Sequence, residues 1–210
     1  MPSRPSVTGT IELELPEFDA PPADPMPLLV SWADTAERVG VREPYNVALA
    51  TSDAAGNPTN RMVLAKSFDL NGMTFATNSG SLKGHQLADR PHAAAVIYWL
   101  ETRQQLRLVG TVALLPTAAS DAIWADRPIE SQAASAASFQ SSRLDDEAVF
   151  RAEAARLSAP GSPLPRPSDW NGYRLRPDSI EFWHGGEDRM HRRLRYERSD
   201  SGWNHQRLYP

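Results

Sequence analysis

The chain has 210 residues, 40% of them hydrophobic and 23% charged, with a formal net charge of −4, which suits one sizeable globular core and gives no basic excess that would suggest nucleic acid. It contains no cysteine, which excludes disulfides, thiolate chemistry and cysteine-based zinc sites, and its histidines, at 85, 92, 184, 191 and 205, include no pair at metal-ligand helical spacing, so no metal is expected. The longest apolar run, residues 93–100, is too short to cross a bilayer and residues 1–6 lack an apolar secretory core, so a cytoplasmic protein without a membrane partner is expected.

Residues 1–25 are rich in proline and acidic residues, show little periodicity, and read as an N-terminal arm that is mobile or lies on a partner's surface; residues 26–210 read as a single domain. Asp24-Pro25 opens a helix, with Leu28, Leu29, Trp32, Ala36 and Val39 at helical spacing and Gly40 as the stop. From Tyr45 the period changes. Residues 47–51 form a strand that runs into turn chemistry over 52–58, residues 61–68 resume as a strand, Asn71-Gly72 marks a tight turn, and residues 73–77 return, giving an antiparallel meander.

Residues 81–88 predict a short polar helix. Residues 92–100 are apolar throughout, as a strand buried on both faces would be. Leu106, Leu108, Val112 and Leu114 alternate with Gln105, Arg107, Thr111 and Ala113, which predicts a half-buried strand. Residues 117–155 are alanine-rich and predict two or three helices, followed by a proline-rich connection over 158–168. Three strands over 172–175, 179–184 and 194–198, and a further segment over 202–208, complete the chain. Many short antiparallel strands with inserted helices indicate an α+β chain built round a barrel.

The sequence holds no GxGxxG and no Walker A motif, so phosphate donors must come from elsewhere. Arg61 and Lys66 bracket an apolar strand and, five residues apart, point to opposite faces. Residues 79–84 offer hydroxyls, backbone donors and Lys83 where a helix begins, a common anion site. Gln104-Gln105 begins a strand, and Gln140-Ser141-Ser142 follows an alanine-rich helix. Each of these also suits an ordinary surface role. The segment 181–194 packs Trp183, Gly185-Gly186, Arg189, His191, Arg192 and Arg193 into one strand-loop-strand, a plausible seat for a planar anionic ligand or a cationic surface hairpin. Arg189 and His191 alternate on one face if that segment is extended.

The order RMVLAK at 61–66, FATNSGSLKGHQL at 75–87, QSS at 140–142, SIEFWHGGEDRMHRRLRY at 179–196 and RLYP at 207–210 is similar to the pyridoxamine 5′-phosphate oxidases. The resemblance covers nearly all the chain from about Asp24. It implies an antiparallel FMN-binding split β-barrel with peripheral helices. It further implies a homodimer with FMN at the subunit interface, and electrons passing from substrate to flavin to oxygen. By position it assigns FMN to Arg61, Met62, Val63, Leu64, Lys66, Thr77, Lys83, Gln105, Gln140, Ser141, Trp183 and Arg193. It assigns substrate to Lys66, Arg127, Ser131, Arg189 and His191, the last two as the catalytic pair. These residues supply what FMN requires: cations for its phosphate, an aromatic wall for its ring, and amides for its polar edge.

Three departures point to one branch. Ile123 stands where vitamin B6 oxidases carry a tyrosine that meets the substrate phosphate, Leu82 where they carry arginine, and Gln104-Gln105 where they carry Arg-Gln. The wording YW-x-ET-x-QQ over 98–105, with Thr8-Gly9-Thr10 and residues 22–26 and 39–44, resembles the phenazine-biosynthesis flavin oxidases. Lys66, Arg127 and Ser131 remain as in the vitamin B6 enzymes. The resemblance therefore implies FMN-dependent oxidation of a reduced phenazine carboxylate precursor by oxygen. The alternative is pyridoxine or pyridoxamine 5′-phosphate oxidation to pyridoxal 5′-phosphate. A flavin-binding barrel without substrate oxidation is a third reading, against which the Arg189/His191 pair argues.

Overall fold

The computed structural model describes residues 8–210. Eight strands, β1 (Asn46–Ser52), β2 (Pro58–Asp69), β3 (Gly72–Asn78), β4 (His92–Trp99), β5 (Gln104–Leu114), β6 (Trp170–His184), β7 (Arg192–Ser199) and β8 (Gly202–Arg207), form one antiparallel sheet in the order β3-β2-β1-β4-β5-β6-β7-β8. β3 also pairs with β6, Met73 opposite Leu175 through Asn78 opposite Trp170, and this closes the first six strands into a barrel. Five helices surround it: α1 (Met26–Arg38), α2 (Leu82–Asp89), α3 (Thr117–Ala125), α4 (Ile129–Ala137) and α5 (Glu147–Ser158). The α+β split barrel with peripheral helices expected from the sequence is the fold found.

Alternation along the strands fills the barrel. Leu49, Phe75, Leu106, Leu108, Leu175, Ile180 and Phe182 are all buried in one apolar cluster. Asp24 opens α1 as its sequence suggests, with Oδ1 accepting the Met26 N–H at 3.0 Å. Trp32 of α1 joins that cluster, its ring 4.9 Å from Phe182 and 6.4 Å from Trp99, and its Nε1–H donates to the buried Glu17 carboxylate at 2.6 Å. No helix among the described residues is long and apolar enough to cross a membrane.

Four local expectations need correction. Residues 8–25 pack on their own chain rather than standing free: Leu15 and Phe18 are buried in the core, because these apolar side chains have a hydrophobic surface within reach. Residues 1–7 of the expected arm lie outside the described residues. The segments 172–175 and 179–184 are one strand, β6, continuous through Pro177. A register shift at Val109/Gly110 accommodates Pro177 within the continuous strand. Gly110 is needed there, since a Cβ would fall 2.0 Å from the Arg176 carbonyl.

β4 is not buried on both faces. Its residues alternate, with Ala93, Ala95, Ile97 and Trp99 inward and Tyr98 46% exposed outward. Its outer apolar side is left uncovered by the rest of the chain. Leu114 likewise lies exposed at the end of β5 rather than in the buried row.

The core supports a direct test. Phe182 is fully buried, edge-on to both Trp32 and Tyr196. Phe182→Ala is expected to cost about 4 kcal/mol and lower Tm by roughly 10 °C in thermal unfolding followed by circular dichroism.

Candidate functional site

A groove of about 520 Å³ on the outer side of β2 gathers many of the predicted residues: Arg61, Met62, Val63, Leu64, Lys66, Thr77, Lys83, Arg127, Gln140 and Ser141 all line it. Arg61 and Lys66 were expected on opposite faces. The register shift between Ala65 and Ser67 breaks the alternation of β2, and both cations border the same groove.

Neutral acceptors fix the cations. Arg61 Nη1 donates to the Leu49 carbonyl at 3.1 Å and to Thr51 Oγ1 at 2.6 Å, while Nη2 donates to Thr59 Oγ1. The Thr51 and Thr59 hydroxyls donate in turn to Gln86 Oε1, at 2.6 and 2.8 Å. Ser81 caps α2 by accepting the Gly84 N–H at 3.2 Å, which sets Lys83 in the first turn. Lys83 Nζ donates to Gln140 Oε1 at 2.9 Å and to Ser81 Oγ at 3.3 Å. Thr77 Oγ1 reaches the same Gln140 oxygen at 3.0 Å, so the 140–141 turn is tied to both β3 and α2. Thr51, Thr59 and Gln86 were not singled out from sequence, whereas Ser81 belongs to the 79–84 segment read there as an anion site. Thr59 sits two residues before Arg61 on one strand face, and Ser81 immediately precedes a helix, so both left a readable signal.

Arg127 closes one end of the groove. Its guanidinium lies 5.1 Å from the Trp170 ring centroid and 5.6 Å from that of Trp124, and donates to the Ser131 carbonyl at 2.8 Å and Ser135 Oγ at 2.7 Å. It also borders an adjoining cavity of about 410 Å³ that Ser131 lines. Both volumes fall within the roughly 300–1,000 Å³ of small-molecule sites.

Among the described residues, four cations and no carboxylate line the main groove. The chain's only lysines, Lys66 and Lys83, are both among them. Burial pushes the pKa of Arg61 and Arg127 down. Lys66 is lowered by burial first and then by Arg127, and Lys83 falls to about 8, through burial first and then the charge of Arg61. Asp126 offsets part of the effect on Lys66, but the net result is a set of desolvated like charges, which suits an anion.

A second cluster lies elsewhere. Gln105, Trp183 and Arg193 face one another across β5, β6 and β7, with Tyr98 beyond Gln105 on β4. The Trp183 ring lies 4.9 Å from that of His191 and 6.3 Å from that of Tyr98. Arg193 pairs with the buried Glu181 at 2.8 Å, and Arg107 meets the other oxygen of Glu181 at 2.8 Å. Residues 185–191 form a turn rather than the extended segment expected, with Arg189 at φ +67° and its N–H bonded to the Gly186 carbonyl at 3.1 Å. The alternation argument for Arg189 and His191 therefore fails, because Gly185-Gly186 folds the chain back. His191 Nδ1 accepts the Gly186 N–H at 3.2 Å, which leaves Nε2 as the proton-bearing nitrogen of the neutral ring.

The two clusters do not meet within one chain. Met62, Ala48, Val96, Arg107, Glu181 and Arg195 form a continuous cross-strand row from β2 to β7. Three strand steps, about 14 Å, separate Met62 from Arg107 along the sheet. Between them Met62, Tyr98 and Leu100 stand exposed around a groove of about 720 Å³ that Ala48 and Val96 also line, with Arg42, Glu43, Asn46 and Glu101 among its other lining residues.

Comparison with known proteins identifies the family. The pyridoxamine 5′-phosphate oxidase family model matches residues 34–159, and that of the pyridoxine 5′-phosphate oxidase C-terminal dimerisation region matches residues 170–210. The chain belongs to the pyridoxamine 5′-phosphate oxidase family. It is 44% identical over 205 residues to dihydrophenazinedicarboxylate synthase of Pseudomonas chlororaphis, covering 98% of this chain and 92% of that one. It is 44% identical over 197 residues to pyridoxine/pyridoxamine 5′-phosphate oxidase 1 of Ralstonia nicotianae, covering 92% and 93%. Among solved structures it superposes on PhzG from Burkholderia lata 383, crystallised with tetrahydrophenazine-1-carboxylic acid. The TM-score is 0.92 at 42% identity, over 96% of this chain and 100% of that one.

With only two lysines in the chain, the titration of Lys83 is directly measurable. Amine-reactive labelling of the ligand-free protein, read by mass spectrometry across pH, is expected to show Lys83 half-reactive near pH 8, about two units below an ordinary lysine. A midpoint above pH 10 would contradict the desolvated groove.

Proposed function

We propose that this chain is an FMN-dependent oxidase that oxidises a reduced phenazine carboxylate precursor with oxygen, acting as a homodimer with an FMN site at each subunit interface. The observation that carries the reading is the groove of four cations without a carboxylate, beside an uncovered apolar face. FMN fits this donor set, because its dianionic phosphate needs desolvated cations and hydroxyls while its ring needs an apolar and aromatic wall.

Arg61, Lys83 and Ser141 would hold the phosphate, with Thr77 and Gln140 fixing the Lys83 ammonium. The β2 segment over Met62, Val63 and Leu64 would face the ring from one subunit. The partner's Gln105, Trp183 and Arg193 would complete the wall and the polar edge. A two-fold axis through the apolar outer face supplies this, since an isologous contact presents each subunit's cation groove to the other's aromatic cluster. The match of residues 170–210 to a dimerisation region supports that arrangement. When bound, FMN supplies a two-electron acceptor that molecular oxygen restores.

The chain's own contribution is binding and orientation. Lys66 and Arg127 line the groove and, with the partner's Arg189, would hold a substrate carboxylate. Among the described residues Arg189 has no acidic partner, so its charge is available to the substrate. The partner's His191 would present Nε2–H to the substrate's polar edge and could pass a proton, its ring held against Trp183. Ile123 has no hydroxyl to offer a substrate phosphate, which favours a carboxylate substrate. The similarity to dihydrophenazinedicarboxylate synthase and to the PhzG complex supports the same choice.

Pyridoxine or pyridoxamine 5′-phosphate oxidation is the second reading, favoured by the retention of Lys66, Arg127 and Ser131 and by the Ralstonia nicotianae relative. Oxygen uptake by the yellow protein separates the two. A reduced phenazine carboxylate is expected to give kcat/KM at least about tenfold above that of pyridoxine 5′-phosphate, and the reverse order would overturn the assignment. Replacing both Arg189 and His191 with Ala is expected to lower kcat/KM by roughly 10²–10³ while the protein stays yellow. Val96→Glu, which plants a charge on the outer face, is expected to give a monomer by light scattering and to lose FMN while near-native circular dichroism persists.

A further inference from the structure

Arg103 sits at the foot of β5 with a φ of +57°, in the left-handed region that non-glycine residues seldom occupy. Its N–H bonds to the Leu100 carbonyl at 3.2 Å, closing the β4–β5 turn, and this backbone turns the side chain inward. The guanidinium is 5% exposed, yet its two carboxylate partners stand at the surface. Nη1 donates to Glu187 at 3.0 Å and Nη2 donates to Glu12. One carboxylate comes from the segment before α1, the other from the 185–191 turn, two residues before Arg189.

The backbone repeats the connection. The Arg103 carbonyl accepts the Gly185 N–H at 2.8 Å, and the Glu101 carbonyl accepts the Ile11 N–H at 2.9 Å. Gly9 lies so close to the turn that a Cβ would fall 2.1 Å from the Leu100 carbonyl. Both segments therefore rest on residues 100–103, and a buried charge that loses either carboxylate is left undercompensated.

We propose that Arg103 is a positioning residue: its forked guanidinium clamps the 8–12 segment and the 185–191 turn together, and so sets where Arg189 and His191 stand. Lysine cannot replace it, because an ammonium is a point charge and the task is to hold two carboxylates at once from one planar group. The proposal rests on the reading that Arg189 and His191 meet the substrate, but the clamp itself is testable without any substrate.

Hydrogen exchange of the purified yellow protein reads the clamp. Arg103→Met is expected to speed exchange in both residues 8–15 and residues 185–191 by at least about tenfold, with β1 to β5 unchanged. Arg103→Lys is expected to restore protection to one segment at most. Glu187→Gln, an exposed change that spares the core, is expected to loosen 185–191 alone. In oxygen-uptake assays Arg103→Met is expected to raise KM roughly tenfold with kcat within about threefold of wild type and FMN affinity unchanged. Wild-type exchange in both segments for Arg103→Met and Glu187→Gln would overturn the clamp even if oxidase activity is confirmed. Loosened segments in a protein that oxidises neither substrate class would uphold the clamp and remove the proposed function instead.

Discussion

A six-stranded barrel closed by the pairing of β3 with β6 has no room inside. Leu49, Phe75, Leu106, Leu108, Leu175, Ile180 and Phe182 occupy its interior, and Trp32 packs against Phe182 and Trp99. Small barrels are packed cores, and only wider ones leave a cavity for a ligand. Any ligand of this chain must therefore bind on the outer surface. There the same closure holds β2 and β6 at fixed positions, several strands apart. A planar cofactor that needs both the β2 cations and the Trp183 cluster cannot find them on one copy. The proposed interface site follows from that separation, and the exposed apolar strip between the two clusters is the surface on which two copies would meet.

Electrostatics gives the outer surface its selectivity. Net charge is negative, yet one groove is lined by four cations and, among the described residues, by no carboxylate. The Glu181 carboxylate, by contrast, is buried between Arg107 and Arg193. Arginines near the aromatic cluster are thus largely neutralised within the chain, while those of the β2 groove are not. In the proposed site this difference would place the phosphate on the β2 side, with the partner's cluster completing the ring wall and polar edge. Burial and the charge of Arg61 both disfavour the Lys83 ammonium and push its pKa to about 8.

Much of this was readable from residues. The helix opened by Asp24-Pro25, the meander over residues 47–77 and the Ser81 helix start all rest on short-range chemistry, and local signals sufficed. The cation groove was readable as a set because RMVLAK, SLKG and QSS resemble a family, though the chain itself gave no sign that they converge. What sequence could not give is non-local. The groove takes residues from both faces of β2 beside a register shift, which brings Arg61 and Lys66 together, and no composition signal marks that. The two strands read over 172–175 and 179–184 are one because Gly110, far away in the chain, makes room opposite Pro177. The fold-back of residues 185–191 depends on Arg103 and Gly186, so an alternation drawn along the segment misplaced Arg189. The apolar run of β4 was correctly seen as apolar on both faces, but its second face has no cover within the chain.

Complementation in a hybrid dimer tests the central claim most directly. Co-refolding Lys83→Ala chains with Trp183→Ala chains gives mixed dimers in which one interface carries both defects and the other carries none. If the site is divided between copies, each mixed dimer binds one FMN with wild-type affinity although neither parent does. If every mixed dimer remains as weak as its parents, the two clusters do not share a ligand and the divided site is wrong.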